Sequence, residues 1–311
     1  KIAEKNKVNL EFEASVCGGV PIIRSLKEGL IANKISKIYG IFNGTSNYIL
    51  SSMDKENKSF SEVLLNAKKL GYAESNPSSD LNGNDVSSKL KILSSLCFNS
   101  FLNDKIYVEG IKDIDKTDIN NANKLGYKIK LLGFSEFFNN RFYQRVHPTL
   151  IKKDSYVASI DGVLNAVIVN GYPVGESIIQ GEGAGPAATT SALISDISSI
   201  LRGNIKFPFS LSCKERKRIK FDGIDERYFS AYLRFEVSDK PGVLSNITNI
   251  FSKNKVSIKR LVQNPNINKK ISSIIIITHK SKNKYLNKIL NQVTKKNYIK
   301  KKPKLIRIDN S

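Results

Sequence analysis

Residues 228–311 constrain the fold most, because they alternate two apolar periods in an order that few architectures accept. Residues 229–237 read as a strand. The turn Asp239-Lys240-Pro241-Gly242 leads into a helical pattern over 243–253, and a second strand follows at 256–262. A loop over 263–269 precedes the very apolar strand 272–278. A helix over about 283–295 and a strand over about 304–308 close the run. The order βαββαβ predicts a ferredoxin-like sheet with helices on one face. The basic stretch 206–227, with Lys214, Arg216, Lys217, Arg218 and Lys220, reads as the linker before it.

The 311 residues exceed one ordinary core, so further domains are expected upstream. Residues 2–7 read as the end of a helix and 8–14 as a strand. Pro21 suits the first turn of a helix reaching about residue 32. A short strand, 37–42, ends in Asn43-Gly44-Thr45 and gives way to a helix over 47–53. Ser59-x-x-Glu62 is a capping box opening another helix, which Leu70-Gly71 closes. Residues 72–83 read as a polar loop. The helix 84–98 follows, with Val86, Leu90, Leu93, Leu96 and Cys97 at helical spacing. Strands are predicted at 106–108, 128–134, 141–148, 156–169 and 174–179, with one helix at 116–125. Gly181-Glu182-Gly183-Ala184-Gly185-Pro186 feeds a small-residue helix over 187–201. The fold class is therefore α+β, a mixed sheet covered by helices followed by the βαββαβ unit.

The formal charge of +22 is the classic footprint of a nucleic-acid partner only where arginines cluster. Here 40 of the 50 basic residues are lysines spread along the chain, so the charge reads as a solvated surface, with no nucleic-acid partner. No apolar run approaches the roughly 20 residues of a membrane span, and no secretory leader is seen. Three scattered cysteines and two histidines provide neither a disulfide framework nor a His-rich zinc site, which suits a cytoplasmic protein.

The densest polar constellation is residues 67–89. Asp85 and Lys89 lie one helical turn apart on one face, and Asp80 stands just before that helix. An exposed Asp–Lys pair on a capped helix would explain that pair alone. It does not explain a loop that brings Glu74, Asn76, Asp80, Asn82 and Asp85 toward a single lysine.

The run Ala67-x-x-x-Gly71-Tyr72-Ala73-Glu74-x-x-Pro77-x-x-Asp80-Leu81-x-Gly83-x-Asp85-x-x-x-Lys89 resembles the signature of the homoserine dehydrogenases. Phe12-Glu13-Ala14-Ser15-Val16, Gly19-Val20-Pro21-Ile22-Ile23, Gly40-Ile41-Phe42-Asn43-Gly44-Thr45-x-Asn47-Tyr48 and Gly181-x-Gly183-Ala184-Gly185 resemble the same family. The resemblance covers roughly residues 1–210. It implies reversible oxidation of L-homoserine to L-aspartate 4-semialdehyde with NAD or NADP, a step toward threonine, methionine and isoleucine. Lys89 would act on the reacting oxygen, with Asp80 and Asp85 orienting it. Glu74 would take the substrate's α-amino group, with Asn43, Thr45 and Tyr72 lining the pocket. Gly71 and Gly185 would let backbone approach the dinucleotide. Glu13, Val16, Gly18 and Val20 would supply oxygens to Na⁺.

The family's GxGxxG and ribose selector are not found in residues 1–311, so residues 1–20 and 185–205 read as a remnant of a Rossmann nucleotide-binding domain, and 21–184 as the catalytic domain. The expectation is that this stretch alone does not turn over and leaves apolar surface uncovered. The C-terminal unit resembles an ACT domain. Asp239, as a helix cap at Pro241, and Gly242 would then meet an amino-acid effector, by analogy L-threonine. The resemblance also implies a homo-oligomer, usually a dimer through the catalytic sheet. The rival reading is a non-catalytic amino-acid-binding protein built on the ACT unit.

Overall fold

The computed structural model describes residues 1–101, 106–203, 207–266 and 270–309. The chain divides into two compact units. The first holds Lys1–Asn120, Ile129–Pro148 and Asp154–Asp222, and the second holds Asn121–Lys128, Thr149–Lys153 and Gly223–Ser311.

In the first unit the strand Lys34–Ile41 lies between two antiparallel partners. It pairs Tyr39 with Phe134 of the Tyr127–Phe138 strand and Ile38 with Val169 of the Leu164–Tyr172 strand. Gly175–Glu182 adds outside Leu164–Tyr172, with Val167 opposite Ile179. Tyr107–Val108 pairs in parallel with Arg145 and Val146, which makes the sheet mixed, as expected. Val167, Ile168 and Val169 are all buried, so this strand is covered on both faces and reads as a continuous apolar run.

The helices of this unit follow their local signals. Ser59 and Glu62 form the reciprocal capping box at the start of Phe60–Lys69. Asn84–Cys97 buries Val86, Leu90, Leu93 and Leu96. Gly44–Glu56 starts earlier than its sequence pattern because Asn43 caps it by accepting the Ser46 N–H at 2.8 Å, and it runs on to the left-handed Asn57, at φ 51°, which closes it.

Three expectations are corrected here. Residues 8–12 form no strand: an extended segment becomes a strand only when a neighbour takes its N–H and C=O groups, and no described strand does. Tyr156–Ser159 is a helical turn where a strand was expected, and the strand begins at Leu164. The loop after Glu74 contains the helix Ser78–Asn82, closed by Gly83 at φ 82°.

The second unit has the βαββαβ order: Tyr228–Ser238, Val243–Lys253, Ile258–Asn266, Ile271–Thr278, Asn283–Thr294 and Lys304–Asp309. Tyr228–Ser238 pairs with both Ile271–Thr278 and Lys304–Asp309, and Ile258–Asn266 lies outside Ile271–Thr278. Two details differ from the sequence reading. The expected loop from residue 263 is strand as far as Asn266, because Gln263, Asn264, Pro265 and Asn266 stand in register with Ile274, Ser273, Ser272 and Ile271; residues 267–269 lie outside the described residues. Gly242, at φ 84°, occupies the helix N-cap with no side-chain cap, so Asp239 does not cap the helix. Leu286, Ile289 and Val293 of one helix and Val243, Ile247 and Phe251 of the other supply their buried faces.

Candidate active site

The site is assembled around Asn43. Its Oδ1 is used by the helix cap, which leaves the Nδ2 group aimed away from the helix start. That group donates to Asp80 Oδ1 and to Asp85 Oδ2, both at 2.9 Å. Asp85 in turn holds Lys89 Nζ at 2.8 Å, one turn along the Asn84–Cys97 helix. Lys89 Nζ also donates to the Phe42 carbonyl at 2.9 Å. Two carboxylates, one carboxamide and one ammonium thus form a connected group at the end of the Lys34–Ile41 strand. Lys89 retains 18% side-chain exposure, so one of its three N–H donors can meet a ligand.

The charges in this group are unevenly solvated. Burial pushes the Asp80 carboxyl above its ordinary range, and the neighbouring Asp85 adds to this; the Asn43 and Thr45 hydrogen bonds and Lys89 oppose it. Thr45 Oγ1 lies 2.6 Å from the Tyr72 carbonyl, tying the first turn of Gly44–Glu56 to the 71–75 loop. Tyr72 and Tyr48 pack their rings with centroids 4.9 Å apart. Glu74 is exposed on the same loop. Gly71, at φ 75°, ends the Phe60–Lys69 helix in open space.

The turn at residues 16–20 lies beside this group. The buried Cys17 thiol, pushed up to about 11 chiefly by burial, feels both Lys89 and Asp85. Cys17 and Gly18 are both left-handed, at φ 58° and 45°. Gly18 packs so tightly that a Cβ there would fall 2.5 Å from the Gly183 carbonyl oxygen. Gly183 is in turn covered by Asn165: a Cβ at 183 would sit 1.9 Å from Asn165 Oδ1. The two glycine turns therefore stack on one buried carboxamide. Gly185, at φ 112°, opens the Pro186–Leu201 helix and faces open space.

Glu13 is buried, and burial pushes its carboxyl upward. Its two carboxylate oxygens accept the N–H groups of Ile23 and Arg24, each at 2.8 Å, while its own N–H donates to Asp196 at 3.0 Å. The Glu13 side chain is thereby occupied as a helix-start acceptor. On the Pro186–Leu201 helix, Leu193, Ile194, Ile197 and Leu201 are exposed.

In the second unit, Asp239 and Gly242 line a cleft of about 450 Å³ with Gln263, Leu244 and Ile274. Asn165, Asn47 and Lys130 were not singled out from sequence. Asn47 stands in a quoted motif, but no linear spacing connects it to Lys130, whose Nζ it accepts at 3.0 Å.

Residues 21–198 match the family model described as homoserine dehydrogenase, and residues 233–301 match the model described as an AHAS small subunit-like ACT domain. Homoserine dehydrogenase from Neisseria gonorrhoeae is 39% identical over 315 residues, spanning 99% of this chain and 72% of that relative. The solved structure of a homoserine dehydrogenase from Thiobacillus denitrificans superposes with a TM-score of 0.90 at 36% identity, covering 99% of this chain and 72% of that one. A hyperthermophilic archaeal homoserine dehydrogenase mutant, solved in complex with NADPH, matches with a TM-score of 0.56 at 28% identity over 66% of this chain and 59% of its own.

Proposed function

The chain belongs to the homoserine dehydrogenase family, oxidoreductases of amino-acid biosynthesis, and from that premise we propose that the Asn43 cluster is where L-homoserine and L-aspartate 4-semialdehyde react. The observation that carries this reading is the short chain of contacts from Asn43 through Asp85 to a part-exposed Lys89. The family match reaches across residues 21–198, so a protein built on the ACT unit alone is not favoured.

A nicotinamide dinucleotide supplies the hydride acceptor, and the residues present fit one in part. Gly71 and Gly185 both hold left-handed or extended-positive backbone with nothing above the Cα, so a ligand can come close at either.

In the reducing direction, negative charge grows on the aldehyde oxygen. Lys89 offers an N–H donor there and can surrender its proton, while Asp85 and the Phe42 carbonyl fix the nitrogen's direction. Asp80, held by Asn43 and raised in pKa by burial, belongs to the same hydrogen-bonded group and helps orient Lys89 through it. In the oxidising direction the same atoms act in reverse. Glu74, exposed on the loop, takes the substrate's α-ammonium, and Thr45 and Tyr72 line the approach.

The carbonyls of Val16, Gly18 and Val20 are hard oxygen donors of the kind Na⁺ takes, and the successive left-handed residues Cys17 and Gly18 turn this backbone sharply. With its carboxylate occupied by amides, Glu13 would contribute through its backbone and by bracing the turn. The cleft at Asp239 and Gly242 is where an amino-acid effector, by analogy L-threonine, would bind. We assign residues 1–20 with 185–205 to the remnant of a nucleotide-binding domain, 21–184 to the catalytic domain, 206–227 to a linker and 228–311 to the ACT domain, in a cytoplasmic homo-oligomer; residues 204–206 lie outside the described residues. No helix among the described residues is long and apolar enough to cross a membrane.

Calorimetry tests the substrate reading. L-homoserine should bind the chain, and Lys89→Met should weaken it at least tenfold, the worth of about one hydrogen bond to a charged group. Failure of L-homoserine to bind, or equal binding to the Lys89→Met chain, would overturn it.

A further inference from the structure

Resting on that reading, we propose that Lys130 is a positioning residue of the site: it holds the Gly44–Glu56 helix at the pitch that lets Asn43 reach both carboxylates. Lys130 is 1% exposed on the Tyr127–Phe138 strand. An ammonium buried this deeply is tolerated only when its donors are met. Its Nζ donates to Asp161 Oδ1 at 2.8 Å, to Asn47 Oδ1 at 3.0 Å and to the Ile160 carbonyl.

Each acceptor leads back to the same helix. Asn47 Nδ2 donates to the carbonyls of Ile160 and Leu164, both at 3.2 Å. Ser51 Oγ donates to the Asn47 carbonyl and accepts the Gly162 N–H at 3.2 Å. Lys55 meets the second oxygen of Asp161 at 3.2 Å. Asn47, Ser51 and Lys55 fall at successive fourth positions, so one whole face of the helix is fastened to the 160–164 segment. The helix start is equally close: a Cβ on Gly44 would lie 2.8 Å from the Val163 carbonyl oxygen.

Asn43 is the N-cap of this helix, one turn before Asn47. Its two contacts with Asp80 and Asp85 are both 2.9 Å, so a tilt or slide of the helix by on the order of 1 Å breaks at least one of them. An apolar side chain at position 130 would fill the core but could not specify the helix pitch. A buried ion pair that fixes geometry rather than adding stability is its best-attested use.

The experiment observes Asn43 directly. In the chain labelled with ¹⁵N-asparagine, the Asn43 side-chain NH₂ should be shifted and slow to exchange. In Lys130→Met it should move toward free-asparagine values, and L-homoserine affinity should fall at least tenfold. Adding Asn43→Ala to Lys130→Met should then cost less than a further twofold, since both act through one contact. Should Lys130→Met fail to fold, Asp161→Asn must show smaller changes in the same directions. Unmoved NH₂ signals in a folded variant, or losses that multiply in the double variant, would overturn the proposal. If the unaltered chain binds no L-homoserine, the substrate reading fails, while the NH₂ signals still decide what Lys130 does.

Discussion

Asn43→Asp is the most informative single change, because it is isosteric, keeps the helix cap and inverts the electrostatics. Aspartate caps a helix about as well as asparagine, so the Ser46 contact survives. What changes is the second half of the side chain. Two donations at 2.9 Å become oxygen facing oxygen, against both Asp80 and Asp85. At that separation and an effective dielectric near 20, like charges repel by about 6 kcal/mol per pair. The cluster avoids that by binding a proton, so the cost at neutral pH becomes the cost of protonation, about 1.4 kcal/mol per pH unit. Each of the two lost donations adds roughly 1.5–3 kcal/mol. Asn43→Ala provides the reference: it loses the cap and both donations, roughly 4–7 kcal/mol in all, and adds no new charge, so it depends less on pH. Urea denaturation followed by circular dichroism at pH 5 and pH 7 separates the two. The aspartate variant should be the less stable at pH 7 and should recover much of the difference at pH 5. An aspartate variant within 0.5 kcal/mol of the unaltered chain at pH 7 would refute the charged cluster.

Two further outcomes follow from the same geometry. Gly183→Ala places a methyl 1.9 Å from Asn165 Oδ1 and should lower the melting temperature sharply; adding Asn165→Ala should restore most of it, and absence of rescue would show that the clash lies elsewhere. Asp80 has a folded-state pKa raised above its ordinary 3.8, so the folded chain binds the proton more tightly than the unfolded one. Its share of stability is present below 3.8 and is lost as pH rises through the folded value; Asp80→Asn removes that falling segment, which a stability–pH profile of both proteins will show.

Much of this protein was legible in its residues. Ser59 and Glu62 announced a helix start, Gly71 its end, and the apolar positions of 84–97 their buried face, because caps and helical periods act within four residues. The βαββαβ order was legible for the same reason, and the run from Ala67 to Lys89 identified the family and the Asp85–Lys89 pair. Where the signal needed a partner far along the chain, it was silent or misleading. Residues 8–12 have strand composition but no neighbouring strand among the described residues, and the 156–169 run is broken by a helical turn. Asn43 meets Asp80 and Asp85 across 37 and 42 residues, Lys130 meets Asn47 across 83, and Asn165 packs on Gly183 through the pairing of two strands. Local chemistry is written in spacing; which side chains share a buried space depends on how the sheet closes, and only the folded chain decides that.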